Sequence, residues 1–168
     1  MPNASRSTSR APGASAAPPQ ESKEPLLTVR ARADALYRGA IECCRQHNRS
    51  ARLSNTEEPE LEHRHLDALC KMCDGSLAEL VADYTDAAAH EHPDRDEAWW
   101  HKANALWHAS REYARKHASC DGLAKSLSTK PSAEKLKAMQ MEYELEASAL
   151  LALRHAADAY FKTRPGLT

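Results

Sequence analysis

Apolar residues recur at intervals of three and four positions in four stretches of the chain, which is the spacing of one face of an α-helix. The first two stretches cover about 26–47 and 56–90, and the fourth covers about 133–162. The third ends near residue 127 and is the most regular, because its core positions from Trp99 onward alternate steps of four and three. In the fourth, Tyr143 and Phe161 fall on the predicted core face. The pattern therefore predicts four long helices joined by short connections.

Residues with special backbone preferences mark where these helices should begin and end. Polar residues over 48–55 predict a break after the first helix, and Pro93 ends the second. Asp94 opens the capping-box pattern of a third helix, and Ser132 is the predicted N-cap of the fourth. Gly75 lies in the middle of the second stretch, where it predicts a kink or a split.

The amino-acid composition favours helices over strands. The chain has 168 residues with 31 Ala and 18 Leu, against two Val, one Ile and one Phe, and strands are built largely from β-branched and aromatic residues. We therefore expect an all-α protein, an up-down-up-down four-helix bundle over residues 26–164. Residues 1–25 are rich in Pro, Ser and Ala and predict a disordered N-terminal tail, with a short C-terminal tail at 165–168. A mean hydropathy of −0.70 argues against a membrane-spanning chain.

Charge is distributed unevenly, although the formal net charge of the chain is only −1. Residues 26–54 carry six Arg against two acids, a net charge of +4, and residues 55–93 carry ten acids against two basic residues, a net charge of −8. Two neighbouring helices of opposite sign would attract each other; alternatively, the basic helix forms a face for an acidic partner. Nucleic acid is not an expected partner, because the chain has no Gly-rich phosphate loop and no aromatic-plus-basic motif.

The cysteine content indicates a reducing environment. Five cysteines are an odd number, and Cys43 and Cys44 are adjacent, which is unfavourable for a disulfide framework. No apolar run of signal-peptide length opens the chain. Residues 1–20 lack acidic side chains, as organelle transit peptides do, but show no amphipathic period. We therefore expect a cytoplasmic protein with reduced thiols.

Nine His and five Cys supply many potential metal ligands. Pairs such as Cys44–His47 and His117–Cys120 are three residues apart, so both members of a pair share one helix face. Folding the helices back on one another brings one set of four ligands to similar depths in the bundle, namely Cys44, His65, His117 and Cys120. Such a His/Cys layer suits Zn, and a nearby thioether would favour Cu; the alternative is ordinary core packing.

The sequence offers little support for an enzyme. A carboxylate-bridged di-iron bundle needs two Glu-x-x-His motifs, and this chain has one, from Glu62 to His65. His117 and Cys120 have the residue types of a base and a nucleophile, but helix-interior N–H groups are already hydrogen-bonded and leave no oxyanion hole. We therefore expect a non-enzymatic protein.

Tryptophan and arginine positions indicate a surface for a protein partner. Trp100 and Trp107 are seven residues apart on the third predicted helix, beside its core stripe, and Trp is enriched in interface hot spots. Arg38 and Arg45 belong to the basic first helix. We expect these residues to bind a protein partner or a second copy of the chain, unless the tryptophans instead cap the core. The predicted function is that of an adaptor or small regulator; the alternative is a metal-binding or metal-sensing bundle.

Overall fold

The computed structural model describes residues 28–53, 60–91, 98–127 and 130–163, and those ranges contain four α-helices and no strand. The helices are α1 (Val29–Leu53), α2 (Glu60–His90), α3 (Ala98–Ser126) and α4 (Ala133–Phe161). The prediction of an all-α four-helix protein is thereby confirmed. The predicted tails at 1–25 and 165–168 lie outside the described residues. None of these four helices has an apolar stretch long enough to cross a membrane.

The first two helices, α1 and α2, run antiparallel. At one end the Val29 amide donates to Glu91 Oε2 at 2.9 Å, and nearer the other end the Cys43 thiol donates to Asp74 Oδ1 at 3.2 Å. The side chain of Leu80 on α2 packs against α1 at Gly39, where an added Cβ would lie 2.5 Å from Leu80 Cδ1. The missing side chain of this glycine therefore permits the close packing of α1 on α2.

The remaining helices complete the bundle. Tyr160 near the end of α4 donates to Asp34 near the start of α1 at 3.1 Å, and the Cys44 thiol lies 3.9 Å from the Leu150 carbonyl oxygen, so α4 is antiparallel to α1. The most extensive interfaces join α1 to α2 and α3 to α4. Across the diagonals, α1 and α3 approach each other, whereas α2 and α4 lie farther apart.

Each helix contributes one leucine that is completely buried, and these side chains form the centre of the core: Leu36, Leu77, Leu106 and Leu153. Three buried tyrosines belong to the same core, and their hydroxyls reach polar partners. Alanine occupies several of the other core positions, which lets the helices approach closely. Burial of each leucine stabilises the fold by about 1.5–3 kcal/mol relative to exposure.

The structure corrects two of the predicted helix boundaries and supports a third. The helix α1 continues into the predicted break as far as Leu53, because the low helix propensity of Asn48 costs at most about 0.7 kcal/mol and this turn lies beside α4. The predicted split at Gly75 does not occur, since α2 is continuous there and one helical glycine costs only about 1 kcal/mol. Ser132 is the N-cap, as predicted, and accepts a backbone N–H at 3.3 Å. The predicted cap at Asp94 lies outside the described residues.

Candidate functional site

A cleft of about 870 Å³ opens between α2 and α3 in the half of the bundle that contains the end of α1. Its walls carry short residues, with Gly75 and Ala78 on α2 and Ala114 and Ala118 on α3. These residues leave space between the two backbones, and side chains from α1 and α4 complete the lining. The cleft therefore gives solvent a route to the centre of the bundle.

A carboxylate lies at the floor of this cleft. Asp74 of α2 is only 9% exposed, and its Oδ1 accepts hydrogen bonds from the Cys43 thiol at 3.2 Å and from the Tyr113 hydroxyl at 2.9 Å. His47 Nε2 of α1 lies 3.1 and 3.2 Å from the two carboxylate oxygens. Because an ionised carboxylate only accepts hydrogen bonds, these surroundings suit the charged form of Asp74.

A second imidazole faces the same carboxylate from α3. His117 Nε2 lies 3.2 Å from Asp74 Oδ2, and His117 Nδ1 lies 2.6 Å from Glu146 Oε1 of α4. Each helix therefore contributes one member of a group that consists of His47, Asp74, His117 and Glu146. We refer to these four residues as the polar cluster.

The charges of the polar cluster support one another. Burial by itself would raise the pKa of Asp74, but the hydrogen bond and charge of His47, together with the neighbouring thiol and second imidazole, lower that pKa below its ordinary value. The hydrogen bond to Glu146 raises the pKa of His117, and the same bond lowers the pKa of Glu146. The ionised forms of the two carboxyl groups and the protonated form of His117 are thus favoured together.

The two thiols nearest the polar cluster are held in the neutral form. Burial, together with the charge of Asp74, raises the pKa of Cys43 far above its ordinary value. Burial and a hydrogen bond to Glu146 raise the pKa of Cys120 to about 12. Because the thiolate is the reactive form of cysteine, neither side chain is suited to act as a nucleophile at neutral pH.

The polar cluster contains ligand types that occur in zinc sites. The Nε2 atoms of His47 and His117 lie 3.1–3.2 Å from the Asp74 oxygens, close to the roughly 3.3 Å between ligand atoms that tetrahedral Zn bonds of about 2.0 Å require. Glu146 is hydrogen-bonded to the second ring nitrogen of His117, which is the outer contact usual for a metal-bound histidine. The ligand atoms of Cys43, His47 and Asp74 all lie within 4.8 Å of one another, and His117 adjoins this group through its contact with Asp74 Oδ2.

The His/Cys layer predicted from the sequence is brought together only in part. His117 belongs to the polar cluster, and the buried Cys120 is hydrogen-bonded to Glu146 beside it. Cys44 instead has its thiol 3.9 Å from a backbone carbonyl oxygen of α4. His65 is exposed on α2, and it precedes the carboxylate of the cluster by more than two helical turns. The structure therefore does not place these last two residues in the polar cluster.

Sequence reasoning did not single out the carboxylate at the centre of the cluster. Asp74 precedes Gly75, and the pair has the appearance of a helix breaker. A different signal was available, because Asp74 falls on the line of Cys70 and Leu77, with steps of four and three, and all three are buried. A carboxylate on a buried helix line needs hydrogen-bonding partners, and these partners are the functional candidates.

The residues predicted to bind a partner occupy two separate helices. Trp107 Nε1 donates to Thr85 Oγ1 at 2.9 Å, and the Trp100 and Tyr84 ring centroids are 6.2 Å apart. Both tryptophans are half-buried and pack against the core, whereas Arg38 and Arg45 are exposed on α1. The tryptophans therefore have an internal packing role, whatever else they contact.

We expect the polar cluster to stabilise the metal-free protein most at mildly acidic pH. His117 has a raised pKa, so its contribution is complete below its unfolded value near pH 6.5 and is lost as the pH rises through the folded value. Glu146 has a lowered pKa, so its contribution is complete above roughly pH 4.3 and is lost as the pH falls through the folded value. The free energy of unfolding, measured with urea in metal-free buffer at about pH 5.5 and about pH 8, gives the stability that is lost at high pH. This loss of stability at high pH should be smaller in Glu146→Gln. An unchanged loss in that variant would contradict the pairing of His117 with Glu146 as its cause.

Fold and site together define a class of protein, a four-helix bundle with a buried polar cluster open to a cleft. Comparison of the chain with protein-family models, with curated proteins and with solved structures gives no match. The chemistry of the cleft and its floor is accordingly the basis for the function proposed below.

Proposed function

We propose that this protein binds one Zn²⁺ ion at the polar cluster and acts as a metal-binding or metal-sensing bundle. The observation that carries the proposal is the convergence of two imidazoles, from His47 of α1 and His117 of α3, on the buried carboxylate of Asp74. Imidazole and carboxylate are the ligand types of many protein zinc sites, and the cleft supplies the entry path that such a site needs.

Each member of the site has a separate task in this proposal. His47, Asp74 and His117 are ligands, and Glu146 fixes the orientation of His117 through its Nδ1. Cys43 is the fourth ligand. Because the metal binds the thiolate, Zn²⁺ replaces the thiol proton, and uptake of the ion releases that proton to solvent.

The donor set favours Zn²⁺ over other common ions. Cu(I) prefers thiolates and thioethers, whereas the proposed ligand set contains a single thiol, and no methionine of the described ranges lines the cleft. Mg²⁺ and Ca²⁺ prefer oxygen ligands, which two imidazoles do not supply. A site of two nitrogens, one carboxylate oxygen and one sulfur matches the mixed N, O and S chemistry of zinc.

Metal binding in this position is coupled to the stability of the bundle. The ligands come from α1, α2 and α3, and α4 supplies the hydrogen bond to His117, so a bound ion links all four helices. An ion that binds only the folded state stabilises it by about 2.7 kcal/mol at a concentration one hundred times its dissociation constant. The concentration of free zinc is thereby converted into stability of the fold, which is the physical basis of a sensor.

The test is a zinc titration of the full chain after removal of metal, with a chromogenic chelator as competitor and elemental analysis for the stoichiometry. We expect one Zn²⁺ per chain. His117→Gln removes a ligand and is expected to weaken binding by more than about tenfold. Glu146→Gln, which removes the negative charge of the outer hydrogen-bond acceptor, is expected to weaken binding by about 10- to 100-fold.

The matched controls are the exposed histidine His65 on α2 and the buried cysteine Cys44, which contacts α4. His65→Gln and Cys44→Ser should leave zinc affinity within about twofold of the parent, since neither is a ligand in this proposal. Failure of the parent protein to take up zinc, or an equal loss of affinity in His65→Gln, would overturn the proposal.

A second candidate function, an interaction protein that forms a homodimer, is favoured by the surface of α4. This helix leaves five large apolar side chains more than 40% exposed: Leu136, Met141, Tyr143, Leu145 and Leu151. Met141 and Leu145 are four residues apart and share one face of the helix, and a contiguous exposed apolar patch is typical of a surface that binds another protein. Sedimentation equilibrium tests the proposal: the parent chain should be a dimer and Met141→Lys/Leu145→Lys a monomer, and a monomeric parent contradicts it.

A further inference from the structure

A second depression, of about 480 Å³, lies between α1 and α4, and four of its eight lining residues are arginines. On α1, Arg45, Arg49 and Arg52 recur at steps of four and three, so they share one face of the helix. Arg154 of α4 lines the same depression. We call it the arginine groove. It shares no lining residue with the cleft that leads to the polar cluster, so it is a separate feature of the surface.

The positive charge of the arginine groove is largely uncompensated. Four arginines and Asp158 line it, a formal charge of +3. Arg45 pairs with a carboxylate of its own helix at 3.0 Å. The other three arginines form no ion pair with any carboxylate among the described residues. Like charges at this spacing on one helix repel each other, and a bound anion would relieve the repulsion.

Ion pairing between the basic helix α1 and the acidic helix α2 does not explain why arginines line the groove. The basic and acidic helices are joined by Arg32 and Asp83 at 2.6 Å, near the start of α1. The arginine groove lies beside the second half of α1, on the side of the helix that faces α4. Its charge is therefore available to a ligand from solution.

The chemistry of the arginine groove points to phosphate. The six basic residues of α1 are all arginines, and the nine lysines of the chain lie outside this helix. A guanidinium binds two oxygens of a phosphate in a planar fork, whereas an ammonium group acts as a point charge. Ile41 and Cys44 line the groove beside the arginines, together with the amide of Asn48. Apolar surface next to forked donors accommodates the carbon part of an organic phosphate as well as its oxygens.

We propose that the arginine groove binds an organic phosphate, a small molecule that carries one or more phosphate groups, through Arg49, Arg52 and Arg154. The volume of the groove falls within the roughly 300–1,000 Å³ of small-molecule sites. This activity is independent of the zinc proposed above, because none of its residues belongs to the polar cluster. A small phosphate is favoured over an acidic peptide because the groove, at about 480 Å³, has the size of a small-molecule site.

The experiment is isothermal titration of the metal-free full chain with adenosine triphosphate, with inorganic pyrophosphate and with a hexaglutamate peptide at one ionic strength. We expect the triphosphate to bind at least as tightly as pyrophosphate, and hexaglutamate to bind more weakly than either. Arg49→Gln/Arg154→Gln should weaken both phosphate probes by about tenfold or more, because each charged hydrogen bond contributes substantially to affinity.

The matched control is Arg38→Gln/Arg64→Gln, which removes two exposed arginines outside the groove and the same net charge. It should retain the affinity for both phosphates within about twofold, and so should His117→Gln, in which the zinc site is disabled. An equal loss in the Arg38/Arg64 variant would show diffuse charge attraction and overturn the proposal. The absence of phosphate binding, or tighter binding of hexaglutamate, would overturn it as well.

Discussion

Replacing Asp74 with Ala is expected to lower the free energy of unfolding of the metal-free protein by about 3 kcal/mol or more. The carboxylate is the shared acceptor of the Cys43 thiol at 3.2 Å and the Tyr113 hydroxyl at 2.9 Å. It also faces the imidazoles of His47 and His117 at 3.1–3.2 Å. Alanine removes this acceptor from a buried position, so the remaining polar groups lose part of the hydrogen bonding that compensated their burial.

A matched change on the same helix separates this effect from the loss of any acidic residue. Asp67 is exposed and pairs with Lys71 at 2.7 Å, four residues away, so Asp67→Ala should cost less than about 0.5 kcal/mol. Urea denaturation of both variants in metal-free buffer measures the two costs. Similar values for Asp67→Ala and Asp74→Ala would show that the buried contacts of Asp74 do not stabilise the fold.

Leu153→Ala is expected to destabilise the protein by about 2–5 kcal/mol. Leu153 of α4 has no exposed surface and belongs to the central core. Its truncation removes buried methyl groups and leaves a cavity, and neighbouring helices can only partly close around the space. The loss should appear as a lower midpoint in urea with an unchanged denaturant dependence, since the extent of unfolding stays the same.

The control for this prediction lies two residues earlier on the same helix. Leu151 is 55% exposed, so Leu151→Ala should change the free energy of unfolding by no more than about 0.5 kcal/mol. Both variants are measured at a concentration at which the chain is monomeric. If Leu151→Ala costs as much as Leu153→Ala, the buried face of α4 has been assigned incorrectly.

The helices themselves were predictable because their signals are local. Spacing of apolar residues and the cap at Ser132 act within a few positions of each other, and they located all four helices. The rotation of each helix about its axis was less accessible. Periodicity placed Tyr143 and Phe161 on the core face of α4, yet they are 49% and 38% exposed, whereas Leu153 and Tyr160 are buried. Apolar residues surround much of this helix, so contacts with α1 and α3 decide which of two overlapping stripes is buried.

The same limit explains which members of the polar cluster the sequence singled out. Consecutive residues on a helix point about 100° apart, so the choice between Cys43 and Cys44 decides whether a thiol faces Asp74 or α4. His117 was one of the four residues predicted for the His/Cys layer, because a histidine on a regular apolar stripe is conspicuous, and the structure places it beside Asp74. Glu146 was not, since it is one of several glutamates on α4 and only the packing of α3 on α4 brings it to His117.

The distribution of helix interfaces has a consequence for the folding pathway. The largest interfaces, α1 with α2 and α3 with α4, join consecutive helices, so each pair is an αα-hairpin whose contacts are short in sequence, a topology that folds rapidly. Neither hairpin alone contains the polar cluster, because His47 and Asp74 belong to the first and His117 and Glu146 to the second. Docking of the two hairpins is therefore the step that assembles the site. A substitution that slows docking should delay zinc uptake during refolding while helix formation, followed by circular dichroism, keeps its rate.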